Sequence, residues 1–190
     1  MVADLAAARL NMVESQVRTN DVTDVRIQDA MRQIPREAFT PPGKTYLAYA
    51  DAEIEHAPGR WLLKPRDVAK LLQALKPQAG ERALAIAAPY AAAVLEALGL
   101  IVERLDGEAL TPAAGGAYNL IICEGAVTRA PAAWRSALDL QGRLGVVERE
   151  GPVGKATVYV RAEDGVGRRD IFDSTPPILA GFEAEHGFAF

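Results

Sequence analysis

Residues 82–103 constrain the fold more than any other stretch of the chain. Ala83-Leu84-Ala85-Ile86-Ala87-Ala88 is a short apolar run, residues 90–98 carry a helical pattern, and Leu100-Ile101-Val102-Glu103 is apolar and β-branched again. Strand, turn, helix and strand in so short a span make a βαβ unit. Further on, Tyr118-Asn119-Leu120-Ile121-Ile122-Cys123 has the apolar continuity of a parallel strand buried on both faces. The fold class is therefore α/β, layered around one sheet.

The flanks fill in the layers. Leu5, Ala8, Met12 and Val13 recur at helical spacing, as do Val25, Ile27, Ala30, Met31 and Ile34, so residues 4–17 and 24–34 read as amphipathic helices. Asp21 or Thr23 is placed to cap the second, and Pro35 ends it by withholding an N–H from the next turn. Residues 43–65 have no sustained period, and a helix returns over 67–75 with Val68, Ala69, Leu71, Leu72 and Leu75 apolar. Residues 131–138 read as a helix, and 143–148, 155–161 and 170–172 as strands that finish the sheet antiparallel. A single domain over 1–190 is expected, with a helical and extended region at 1–65 and the sheet region at 66–190.

Charge and cysteine content narrow the function classes. A net charge of -4 gives no general attraction to phosphate, and neither residues 60–66 nor Arg168-Arg169 gather enough cations for a nucleic-acid surface. Cys123 is the lone cysteine, and with only His56 and His186 beside it the chain has neither a disulfide nor a ligand set for structural zinc, which fits a reducing cytoplasm. The longest apolar stretch, residues 83–95, contains Pro89 and is mostly alanine, so no membrane span is expected, and an acid at position 4 argues against a signal peptide. Of the 35 alanines, eight lie between positions 83 and 98.

Three further pieces carry a family likeness. Ala30-Met31-Arg32-Gln33-Ile34-Pro35-Arg36-Glu37-Ala38-Phe39-Thr40-Pro41, then Ala48-Tyr49-Ala50-Asp51, and later Leu140-Gln141-Gly142-Arg143-Leu144 stand in one order along the chain. With Met12-Val13-Glu14-Ser15-Gln16-Val17-Arg18 before them, the chain resembles the protein-L-isoaspartate O-methyltransferases over roughly residues 12–150. The resemblance implies a Rossmann-like methyltransferase sheet that binds S-adenosylmethionine and methylates the free carboxyl of isoaspartyl residues in damaged proteins. A carboxylate is already a competent nucleophile, so such a site needs positioning and a held cofactor more than a strong base.

The likeness breaks at the positions that would hold the cofactor. Where the family has Leu-Glu-Ile-Gly-Thr-Gly-Ser-Gly-Tyr, this chain has Ala85 for the acid and Ala87 for the first glycine, and two loop residues are missing before Tyr90. Glycine serves there because backbone must adopt φ > 0 and approach the ligand closely. In the family's Gly-x-x-Ile-Ser-Gln-Pro stretch, Trp61 takes the threonine position and Leu63 the serine, so no hydroxyl remains and no catalytic residue is expected. Glu103 in Val102-Glu103-Arg104 matches the acid that binds ribose hydroxyls. The segment from Leu105 to Tyr118 is about twenty-five residues shorter than the helix, strand and Gly-Asp-Gly turn the family places there, so the sheet is shortened.

These departures imply a divergent bacterial family member with a degenerate cofactor site, vestigial contacts at Glu103, Ala87 and Tyr90, and a role in binding a protein partner, with no metal, nucleic acid or membrane involved. The alternative is an active carboxyl methyltransferase with an altered pocket built on Glu103, Glu124 and Arg60. Arg60 and Lys64 suit either a substrate carboxylate or a surface strand edge. Phe182, Phe188 and Phe190 crowd the C-terminus, as an edge strand on the sheet or as a docking tail.

Overall fold

The computed structural model describes residues 4–113 and 117–183. Helix α1 (Leu5–Met12) begins where the Asp4 carboxylate accepts the Ala7 N–H, and it continues as a π turn over Val13–Val17 and a 3-10 turn over Arg18–Asn20. Asp21, at φ 62°, stops it. Helix α2 (Val25–Gln33) is capped by Asp24, which accepts the Arg26 N–H at 3.0 Å. That corrects the assignment to Asp21 or Thr23. A cap must sit in extended backbone one residue before the helix, and Asp21 is left-handed and too early, while the Thr23 N–H and hydroxyl turn to the Gln73 amide oxygen.

The aperiodic stretch 43–65 contains a 3-10 segment, Pro42–Leu47, and an antiparallel hairpin of β1 (Ile54–Ala57) and β2 (Arg60–Leu62). Helix α3 (Pro65–Leu75) starts on a proline, whose missing N–H is no loss at that position, and ends at Lys76 in left-handed backbone. It lies against Gly145, where an added β-carbon would stand 2.8 Å from Leu75 Cδ1.

Next come β3 (Arg82–Ile86), α4 (Pro89–Ala97), β4 (Ile101–Leu105), β5 (Tyr118–Val127), α5 (Ala132–Ser136), β6 (Leu138–Glu148), β7 (Gly154–Ala162) and β8 (Gly165–Ser174). The sheet order is β4-β3-β5-β6-β7-β8, with the first four strands parallel and the last three antiparallel. The βαβ unit and the antiparallel finish stand as expected. Strands β5 and β8 run longer than their apolar runs and α5 is shorter, because pairing with a neighbour, not apolarity, decides where a strand stops. No helix or strand forms among the described residues between β4 and β5, so β4 is an edge of the sheet.

Ala83, Ala85, Leu120 and Ile122 face one side, where α1 to α4 pack with Met12, Ile27, Met31, Leu71 and Leu72. Leu84, Ile86, Ile121, Cys123 and Leu144 face the other, covered by Trp134 of α5, Leu110 and Leu179. Among the described residues no helix is long and apolar enough to cross a membrane.

Candidate functional site at the carboxyl ends of the parallel strands

In open parallel sheets ligands bind beyond the carboxyl ends of the strands. Here β3 leads straight into that region. Ala87 follows it in left-handed backbone at φ 46°, a conformation that costs a residue with a β-carbon about 1 kcal/mol. The geometry a glycine would serve is retained, and the methyl group lies buried with Ile86, Leu110, Cys123 and Leu179. The Ala87 N–H is spent on the Leu105 carbonyl at 2.9 Å. Ala88 is also buried, and Pro89 opens α4 without a donor.

A buried acid stands at the start of α4. Glu124 of β5 is fully buried, and its two carboxylate oxygens accept the Ala91 N–H at 2.8 Å and the Leu63 N–H at 3.0 Å. Arg36, equally buried, donates to the Leu63 carbonyl at 2.6 Å. The cation and the anion are thus linked through one residue, Arg36 at the Leu63 carbonyl and Glu124 at the Leu63 N–H. Burial pushes the Glu124 carboxyl above its usual range, against the pull of Arg36 and the two N–H donors. Burial likewise weakens the Arg36 guanidinium's hold on its proton, and Glu124 opposes this.

Tyr90 packs into the same nucleus. Its ring lies 4.8 Å from the Arg36 guanidinium carbon and meets Phe39 edge-on at 5.8 Å. The Tyr90 hydroxyl and the Arg36 Nε and Nη1 atoms are buried without a partner among the described residues.

A C-terminal segment crosses the same end of the sheet. Leu179 N–H donates to the Ala126 carbonyl, Ala126 N–H to Pro177, and Ala180 N–H to Gly59. Gly125 is at φ 108°, and a β-carbon there would fall 2.6 Å from Leu179 Cδ2, so only glycine lets the leucine seat. Arg60 donates to the carbonyls of Ala180 at 3.1 Å and Glu108 at 3.3 Å, tying the segment to the loop after β4. Phe182 rests on Trp134 with ring centroids 5.3 Å apart. Phe188 and Phe190 lie outside the described residues.

The remaining expected residues are dispersed. Trp61 is half-buried against the Leu179 cluster, and Leu63 is fully buried. Glu103 sits mid-strand on the exposed β4, where it accepts the Tyr118 hydroxyl at 2.7 Å. Lys64 approaches Glu53 at 3.7 Å. Glu103, Glu124 and Arg60 therefore do not converge. One open cavity of about 740 Å³ lies at the amino ends of the strands, lined by Arg135, Asp139, Arg161 and Val166, and another of about 380 Å³ lies beside Lys70, Gln73 and Arg169. Among the described residues no cluster of three His, Cys, Asp or Glu is placed to hold a metal ion.

The family profile described as protein-L-isoaspartate(D-aspartate) O-methyltransferase matches residues 8–104. A protein-L-isoaspartate O-methyltransferase of Methylorubrum extorquens is 31% identical, with 95% of this chain and 92% of that protein aligned. The chain belongs to the protein-L-isoaspartate O-methyltransferase family. A Methylorubrum populi protein of the same name is 32% identical over 94% of this chain and 98% of its own length. The fold also matches a crystal structure of a putative protein-L-isoaspartate O-methyltransferase from Plasmodium falciparum in complex with S-adenosyl-L-homocysteine, at a TM-score of 0.74 and 13% identity, covering 90% of this chain and 97% of that one. The M. extorquens alignment spans 212 positions, more than the 190 residues present here, so that relative carries residues with no counterpart in this family member.

Arg36 stands in the sequence only as part of the turn motif between Pro35 and Phe39, and Glu124 only as a member of the alternative pocket with Glu103 and Arg60. Glu124 is an acid set in the apolar run 120–127, and that isolation was the signal for a buried, partnered carboxylate.

Proposed function

We propose that this family member has a closed cofactor end, does not transfer methyl groups, and acts as a scaffold that binds a protein partner. The observation that carries the reading is Glu124. Its carboxylate takes N–H groups at the start of α4 and at Leu63, the donors an anionic ligand would use there. Ala87 adds a methyl group where backbone would have to approach the ligand, and Leu110 and Leu179 fill the space beyond it. These residues do not fit an adenosyl cofactor. Two hydroxyl positions are lost to Trp61 and Leu63, and Glu103, the remaining candidate cofactor contact, is engaged by Tyr118. The lone buried Cys123 fits a reducing bacterial cytoplasm.

Calorimetry of the purified chain with S-adenosylmethionine and S-adenosylhomocysteine tests the reading. No heat of binding is expected, and micromolar binding of either would overturn it. The alternative, an active isoaspartyl carboxyl methyltransferase, draws support from the near end-to-end likeness to relatives bearing that name. Transfer of labelled methyl to an isoaspartyl peptide would establish it.

A further inference from the structure

The nucleus around Glu124 contains more donors than acceptors. The Leu63 and Ala91 N–H groups are taken by the two oxygens of one side chain, while Arg36 keeps two buried nitrogens and Tyr90 a buried hydroxyl with no partner among the described residues. Each of Arg36, Tyr90 and Glu124 has no solvent exposure. A buried guanidinium needs an anion in its surroundings, and the buried Glu124 carboxylate of strand β5 is linked to Arg36 through Leu63, whose N–H it accepts and whose carbonyl Arg36 bonds. Gly125, the next residue, is at φ 108°, and a β-carbon added there would fall 2.6 Å from Leu179 Cδ2, so the C-terminal segment packs directly on the backbone beside that carboxylate.

We propose that Leu63, Ala91 and Arg36 form a carboxylate-binding cradle and that Glu124 is its built-in ligand. The cradle's chemical preference is set by two N–H donors that match the two oxygens of one carboxylate, beside a cation buried in the same nucleus. The inference rests on the closed-site reading in one respect, that this end of the sheet is filled from within the chain. It goes further by naming the class of ligand the vacated site accepts, a small free carboxylate.

Substitution Glu124→Ala removes the Cγ methylene and the carboxylate, and acetate replaces those atoms one for one. The variant should lose roughly 10 °C in Tm, from leaving Arg36 uncompensated. Sodium acetate should then raise its Tm by about 4 °C for each tenfold increase above the dissociation constant, beyond the effect of sodium chloride at equal ionic strength. Wild type and Glu124→Gln, whose cradle stays filled, should show no difference between the two salts. If Glu124→Ala is unfolded in chloride, the measurement becomes recovery of native circular dichroism in acetate. The double variant Glu124→Ala with Arg36→Met should be more stable than the single one and indifferent to acetate. Equal responses to acetate and chloride, or equal acetate responses in wild type and variant, overturn the cradle. Binding of S-adenosylmethionine by the wild-type chain would overturn the closed-site reading and leave the acetate result standing, so the two failures are separable.

Discussion

Two residues illustrate how local chemistry is set against packing. Ala87 holds left-handed backbone, and replacing it with glycine relieves about 1 kcal/mol of strain while removing one buried methyl group worth about the same. Ala87→Gly should therefore shift Tm by less than about 3 °C, and it should not create binding of S-adenosylmethionine, because Glu124 still occupies the donors of α4. Thermal melts and calorimetry on the one variant check both halves. His56, half-buried in β1, is the clearest pH-sensitive group. Burial holds its imidazole below its ordinary value, Arg60 adds to this and Asp106 opposes it. A depressed folded value means the unfolded chain binds the proton more tightly, so the stability tied to His56 is present above about pH 6.5 and is lost as the pH falls below it. Denaturant midpoints measured from pH 7.5 to 5 should fall less steeply in His56→Gln than in wild type.

At the scale of elements, the C-terminal segment is held by specific seats rather than by a regular ladder. Leu179 is fully buried and lies against Gly125, and its neighbour Ala180 lies against Gly59. Leu179→Ala should cost about 3 kcal/mol, the usual penalty for emptying a leucine site in a core, and limited proteolysis after β8 should become faster than in wild type. An unchanged Tm and cleavage rate would mean that the segment does not seal this end of the sheet. The amino ends of the strands are bound by a different device. Arg143 of β6 donates to the carbonyls of Leu75, Lys76 and Asn119 and to both oxygens of Glu81, joining α3, β3 and β5 at one point. In the sequence it is simply the arginine of a Gly-Arg-Leu strand entry.

For the whole molecule, a ligand that binds only the folded state raises stability by mass action, about 4 kcal/mol at a thousandfold excess over its dissociation constant. The closed-site reading accordingly expects no change in Tm at millimolar S-adenosylmethionine, and a rise of several degrees would contradict it. The sequence by itself determined the βαβ core, the parallel centre with its antiparallel finish, and the alanine at position 87. Those features are written in periods and spacings within a few residues, where the backbone's own geometry does the selecting. It did not disclose the 54–62 hairpin, whose short strands carry no clear alternation. Nor did it disclose what fills the carboxyl end of the sheet. The Glu124 carboxylate meets donors 61 and 33 positions away, and Arg36 reaches a carbonyl 27 positions away. Only the tertiary structure decided those partners, because a buried charge is satisfied by whichever groups the packed layers bring within reach, and no local pattern records which groups those will be.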